Sequence, residues 1–174
     1  MDALAYNLTA LTASEVALLL VALQYAVFMP AWCVAAVVLR SDRRATAWWA
    51  AYAGSSALGL ACIVAGMHTG DTLVRALGNV LMLAATVALQ RGVWSFTGQC
   101  PWNLVQLGVL LVTIVLSWLA MQPEWVPVRI AVVAALWAGL YLWSARDVWV
   151  HVHHRLQLRW GALFAMPMLV AAVM

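Results

Sequence analysis

Long apolar runs separated by short polar breaks organise this chain from one end to the other. The first run extends from about Val16 to Leu39 and stops at Ser41-Asp42-Arg43-Arg44. The second, from about Ala45 to Met67, opens with Trp48-Trp49 and stops at His68-Thr69-Gly70-Asp71. A third covers Thr72 to Phe96 and is broken by Gly98-Gln99-Cys100-Pro101, and a fourth covers Asn103 to Met121 and closes on Gln122-Pro123-Glu124. The fifth runs from about Val126 to Trp149 and leads into the polar stretch His151 to Arg159. A helix crosses the hydrocarbon core with ~20 apolar residues, so these five runs predict full membrane spans. Pro30 is compatible with the first, because neighbouring groups in a membrane bundle re-satisfy the carbonyl that a proline frees.

A sixth run, Trp160 to Met174, has fifteen residues. As a helix it reaches ~22 Å against a core of ~30 Å, which makes it a partial span. A terminal carboxylate within the apolar layer is costly. The pattern therefore predicts an all-α, polytopic transmembrane helix bundle with five full spans plus a partial sixth. Residues 1–174 form a single transmembrane domain, expected to be the front part of a longer seven-helix module.

Composition agrees with this pattern. Of 174 residues, 67% are hydrophobic and 9% charged, with a mean hydropathy of +0.95, whereas a soluble domain is roughly half apolar and a quarter charged. No stretch is left for a folded aqueous domain. All nine basic residues are arginines. Arg40, Arg43, Arg44, Arg91, Arg146, Arg155 and Arg159 fall on one side of the predicted membrane, and only Arg75 and Arg129 on the other. By the positive-inside rule the larger group marks the cytoplasm, which puts the N-terminus outside. The net charge of +3 is thus a topology signal, and nucleic acid is not an expected partner. Met1 to Ser14 contain Asp2 but no Lys or Arg, so the basic region of a secretory signal is missing and the first helix is expected to be retained. Cys33, Cys62 and Cys100 are odd in number and widely spaced, which suits neither a disulfide framework nor a metal knuckle.

The third run carries the most distinctive text. Gly78-Asn79-Val80-Leu81 is followed by Gly92-Val93-Trp94-Ser95-Phe96-Thr97-Gly98. This resembles the Gly-Asn-x-Leu and Gly-x-x-x-Phe-x-Gly pattern in the N-terminal multi-pass membrane sensor module of bacterial diguanylate cyclases with a Gly-Gly-Asp-Glu-Phe output domain. The outward N-terminus, the Arg-rich first turn and the Trp-bearing second helix are similar too. The resemblance implies a membrane-embedded sensory or regulatory module of a cyclic di-GMP signalling protein, relaying a ligand or bilayer signal to a cytoplasmic output domain. It also implies the bacterial inner membrane as location. A homodimer through that output region would follow from it. The Gly-Gly-Asp-Glu-Phe sequence is missing from these 174 residues, as is any glycine-rich phosphate loop, so the chain by itself is expected to be no enzyme.

Several polar or small residues share helix faces. Arg75, Asn79, Thr86 and Gln90 recur at intervals of four, seven and four and form an intramembrane polar stripe. Such groups must face the bundle, where they either line a pocket and relay motion or act as hydrogen-bonding glue. Arg75 is expected to snorkel to the outer interface. Ser55, Gly59, Cys62 and Gly66 form a stripe of small residues that predicts a close helix contact, within the chain or with a second copy.

Asp147, His151 and His154 have a spacing that could hold a divalent metal. Arg155 and Arg159 beside them would repel one, so no metal and no cofactor is expected. The outer turns gather Asp2, Glu15, His68, Asp71, Arg75, Glu124 and Arg129, the charged groups open to an external molecule or simply the solvated ends of helices. Trp48, Trp49, Trp94, Trp102, Trp125, Trp149 and Trp160 fall at predicted interfaces and read as anchors, while Trp32, Trp118, Trp137 and Trp143 lie deeper. A small transporter or channel-like protein lined by the polar stripe, and a structural subunit of a membrane complex, are the competing functions. The lipid bilayer is a partner in every case.

Overall fold

A computed structural model of the chain describes residues 11–38, 42–99, 103–119 and 125–152. Among the described residues the protein is all-α: α1 (Ala13–Val38), α2 (Arg43–Thr69), α3 (Thr72–Thr97), α4 (Asn103–Leu119) and α5 (Val126–Asp147), the last running into a single π-helical turn, Val148–Val152. Helices α1, α2 and α3 are each long and apolar enough to cross a membrane, so the chain is a membrane protein whose described residues are helical. Helix α4, with 17 described residues, reaches ~25 Å. The sixth run, Trp160 to Met174, lies outside the described residues.

Local signals start and stop these helices. At the head of α1, Thr12 and Glu15 form a reciprocal capping box: the Thr12 N–H donates to Glu15 Oε2 at 2.7 Å, and the Glu15 N–H donates to Thr12 Oγ1 at 3.3 Å. Pro30 sits within α1 without ending it. Helix α2 stops at Gly70, whose φ of 72° is a left-handed conformation that glycine adopts without steric cost. The next residue, Asp71, caps α3, its Oδ1 accepting from the Leu73 N–H at 2.8 Å and the Val74 N–H at 3.3 Å. This makes α2 and α3 a tight antiparallel hairpin. At the far end of α3, Gly98 (φ 76°) forms the C-cap, and the Gln99 N–H closes on the Trp94 carbonyl at 2.9 Å.

The helix pair α2–α3 has the most extensive contact, followed by α1–α2, while α4 and α5 are held more lightly on the other side of α3. Without a hydrophobic driving force in lipid, such a pair is held by close backbone approach. Gly59 and Gly78 meet at the crossing: a Cβ on Gly78 would lie 2.7 Å from the Gly59 carbonyl oxygen, and one on Gly66 would lie 2.7 Å from the Arg75 nitrogen. Helix α1 leans on α2 through a Tyr25–Tyr52 hydroxyl hydrogen bond of 2.9 Å and a tilted contact of the Trp32 and Trp49 rings, 4.9 Å apart. Most of its other surface is exposed, as expected of a helix facing lipid. Leu83 and Val87 of α3 pack with Leu140 of α5, and Val93 packs with Ala145 and Val148, so α3 is the central helix.

Candidate functional site

The polar stripe divides along α3 instead of forming one network. Arg75 is half-buried, and its Nη2 donates to the Gly66 carbonyl at 3.0 Å across the hairpin. Its guanidinium thus folds onto α2, where the side-chain-free Gly66 brings a carbonyl within reach. Asn79 is half-buried next to the Gly59–Gly78 crossing. Thr86 is buried and turns its hydroxyl back to the Met82 carbonyl at 3.1 Å. Thr86 also meets the Tyr141 hydroxyl of α5, and Gln90 enters a longer interhelical chain of side chains.

That chain lies at the C-terminal end of α3. Gln90 Oε1 accepts from Gln106 Nε2 at 3.1 Å. Gln106 Oε1 accepts from Arg91 Nε at 2.7 Å, and Arg91 Nη2 donates to Asn103 Oδ1 at 2.7 Å. The Arg91 guanidinium also lies 5.1 Å from the centre of the Trp48 ring, a cation–π contact worth ~0.5–2 kcal/mol depending on desolvation. One arginine therefore ties α3 to both α2 and α4. Sequence reasoning found Gln90 but missed Arg91, Asn103 and Gln106. The available signal was the i, i+3 placement of Asn103 and Gln106 in the first turn of an otherwise apolar helix.

Trp94 and Asp147 form the second element. The Trp94 indole Nε1 donates to Asp147 Oδ2 at 2.7 Å, joining α3 to the last turn of α5. Trp94 is 2% and Asp147 3% exposed, and the Trp94 ring meets Trp143 edge-on at 5.9 Å. Trp94 is thus a buried strut and not the interfacial anchor its position along the run suggested. The reason is that Gly92 and Gly98 bracket a stretch of α3 covered by α5.

The same contact decides what becomes of the Asp147, His151 and His154 set. Asp147 turns into the bundle toward the indole, and His151 Nδ1 lies 3.1 Å from the Asp147 backbone carbonyl. The chain leaves α-helical spacing at Val148, so the regular face assumed for these residues ends there; His154 lies outside the described residues. Among the described residues no three His, Cys, Asp or Glu side chains are placed to hold a metal. Gln90 Nε2 and Ser144 Oγ, buried on the facing sides of α3 and α5, have no hydrogen-bond partner among the described residues.

In the small-residue stripe, Gly59 and Gly66 lie in the α2–α3 seam, while Ser55 and Cys62 are part-buried on α2. The motif residues of α3 occupy the same seam. Gly92 leaves room for the Trp49 indole, which any side chain there would strike. Phe96 packs on Trp49 at 5.9 Å, extending the Trp32–Trp49 contact across three helices. Just beyond these rings, Arg44, Trp48, Arg91, Trp94 and Ser95 line a cleft of about 240 Å³ whose lip is the C-terminal turn of α3. No protein family, curated protein or solved structure matches the chain.

Proposed function

We propose that this chain is the membrane-embedded sensory or regulatory module of a cyclic di-GMP signalling protein. In this reading five helices span the bacterial inner membrane, a sixth begins within residues 160–174, and the N-terminus lies outside. The output domain, with any homodimer it forms, belongs to the continuation of the chain. Arg44, Arg91 and Arg146 sit at the same ends of α2, α3 and α5, which supports a cytoplasmic assignment for that end.

The observation that carries the proposal is the Trp94–Asp147 bond. Helices α2 and α3 touch backbone to backbone, whereas α5 joins α3 through side chains, among them this bond, the Trp94–Trp143 ring pair, a Thr86–Tyr141 contact and two small apolar clusters. A signal that displaces α3 by a fraction of a helical turn is passed to Asp147, and from there to the π-helical turn and the chain beyond it. Single π turns inside helices mark functional positions more often than ordinary packing does, and two discrete packings of one helix on another suffice for a switch.

The test is to express the complete reading frame with and without residues 1–174 and to measure cellular cyclic di-GMP. We expect deletion to change the level, and Trp94→Phe to shift it in the same direction with the protein still present in the membrane. An unchanged level and unchanged responsiveness in both variants refute the proposal.

A further inference from the structure

The cleft at the end of the bundle has a chemistry of its own. Among the described residues both of its charged lining side chains are arginines, and no carboxylate lines it. Arg44 is exposed in the first turn of α2, so its guanidinium reaches the cleft from the rim. Arg91 is part-buried and approaches from the floor. Its Nε and Nη2 are committed to Gln106 and Asn103, which fixes the plane of the guanidinium over Trp48 and leaves Nη1 outside those bonds. A guanidinium held this way loses little freedom when it binds an anion. Ser95 adds a hydroxyl, and Trp48 and Trp94 supply apolar walls. The helix carbonyls that would repel an anion are covered: the Trp94 carbonyl already accepts from the Gly98 and Gln99 N–H groups.

Size narrows the ligand. About 240 Å³ is below the ~300–1,000 Å³ of drug-sized and cofactor pockets. A space of this size suits a small oxyanion such as a phosphate group. Two guanidinium groups and a hydroxyl around such a volume match the oxygens of a phosphate, which arginine recognises by charge-assisted paired hydrogen bonds.

We infer that the Arg44–Arg91 cleft is a binding site for a phosphate group, carried either by an anionic phospholipid headgroup or by a free phosphate ion. Its place at the end of α2 and α3 puts it at headgroup depth, where a basic pocket between membrane helices meets anionic lipid. The site rests on the geometry of the cleft and holds whatever output domain follows.

The test uses residues 1–174 purified in maltoside micelles. Thermal midpoints are followed while dioleoyl phosphatidylglycerol, dioleoyl phosphatidylcholine, sodium phosphate or sodium chloride at matched ionic strength is added, for the native chain and for Arg44→Gln, Arg44→Lys and Arg146→Gln. Arg146 is an exposed arginine outside the cleft and serves as the control. We expect phosphatidylglycerol to raise the midpoint more than phosphatidylcholine. Arg44→Gln should raise the half-effective concentration about tenfold, the loss of one charge-assisted contact. Arg146→Gln should leave it unchanged, and Arg44→Lys, which keeps the charge but loses the paired hydrogen bonds, should restore only part of the response. The same pattern for phosphate over chloride assigns the site to the free ion, and its restriction to phosphatidylglycerol assigns it to lipid. Equal responses to anionic and zwitterionic lipid together with no response to phosphate, or equal losses in the Arg44 and Arg146 variants, overturn the inference.

Discussion

Replacing Gly78 by alanine adds one methyl group at the closest point of the α2–α3 seam. The new Cβ would lie 2.7 Å from the Gly59 carbonyl oxygen, 2.7 Å from Ile63 Cγ1 and 2.9 Å from the Ile63 nitrogen. Two of the three are backbone atoms, which cannot swing aside. Moving from 2.7 Å to ordinary contact at 3.4 Å requires the helices to part by about 0.7 Å at this crossing. A gap of that size forfeits roughly a quarter to a half of the dispersion energy of each atom pair it opens, and overpacking of this kind costs about 1–3 kcal/mol. Alanine also gains ~1 kcal/mol of helix propensity over glycine, which hides part of the cost. Gly108→Ala removes that ambiguity, because nothing lies within 4 Å of a Cβ there. Both variants share the propensity gain, so the difference between their unfolding free energies isolates the packing cost and should be about 1–3 kcal/mol, with Gly78→Ala the less stable. Unfolding in maltoside micelles, followed by helical circular dichroism, measures it. Equal stabilities for the two variants would falsify the backbone-to-backbone seam.

Two further predictions concern the polar contacts. Trp94→Phe keeps an aromatic ring opposite Trp143 but leaves Asp147 buried without its donor, and should cost about 1–3 kcal/mol. Asp147→Asn, which retains an acceptor oxygen, should cost less in the same melts; the reverse order would show that the indole bond is not what holds α5. Gln90→Leu and Gln106→Leu each strand a buried partner, so the double variant should be more stable than the two single losses added together predict. Membrane pairs average ~0.6 kcal/mol and reach ~1.7, and strict additivity in this cycle would remove the coupling.

The five helices were legible because lipid demands long apolar runs and loops demand polar or glycine breaks. Gly70 and Asp71 mark the α2–α3 turn by sequence alone, and the structure gives them a left-handed cap and an N-cap. What the pattern left unread is which side each polar residue faces. In an apolar helix the hydrophobic period is flat, so Arg75 and Gln90 fall on one stripe by arithmetic while serving opposite neighbours, α2 and α4. Trp94 illustrates the same limit. Its distance along the run puts it at an interface, but burial depends on α5, whose contact lies 53 residues away in the chain.

The residues behind the resemblance in α3 find a common physical explanation in this packing. Gly78 permits the crossing with α2, Gly92 makes room for Trp49, Phe96 packs on that ring, and Gly98 turns the chain at the cleft. None of these side chains can donate a proton or attack a carbonyl, so the motif specifies how two helices meet and what they present at one end. Beside the motif, Arg44 and Arg91 stand at the cleft next to the buried Trp94–Asp147 bond. Trp94 is shared by both, so an anion bound in the cleft would lie against a ring that also holds one of the polar contacts between α3 and α5.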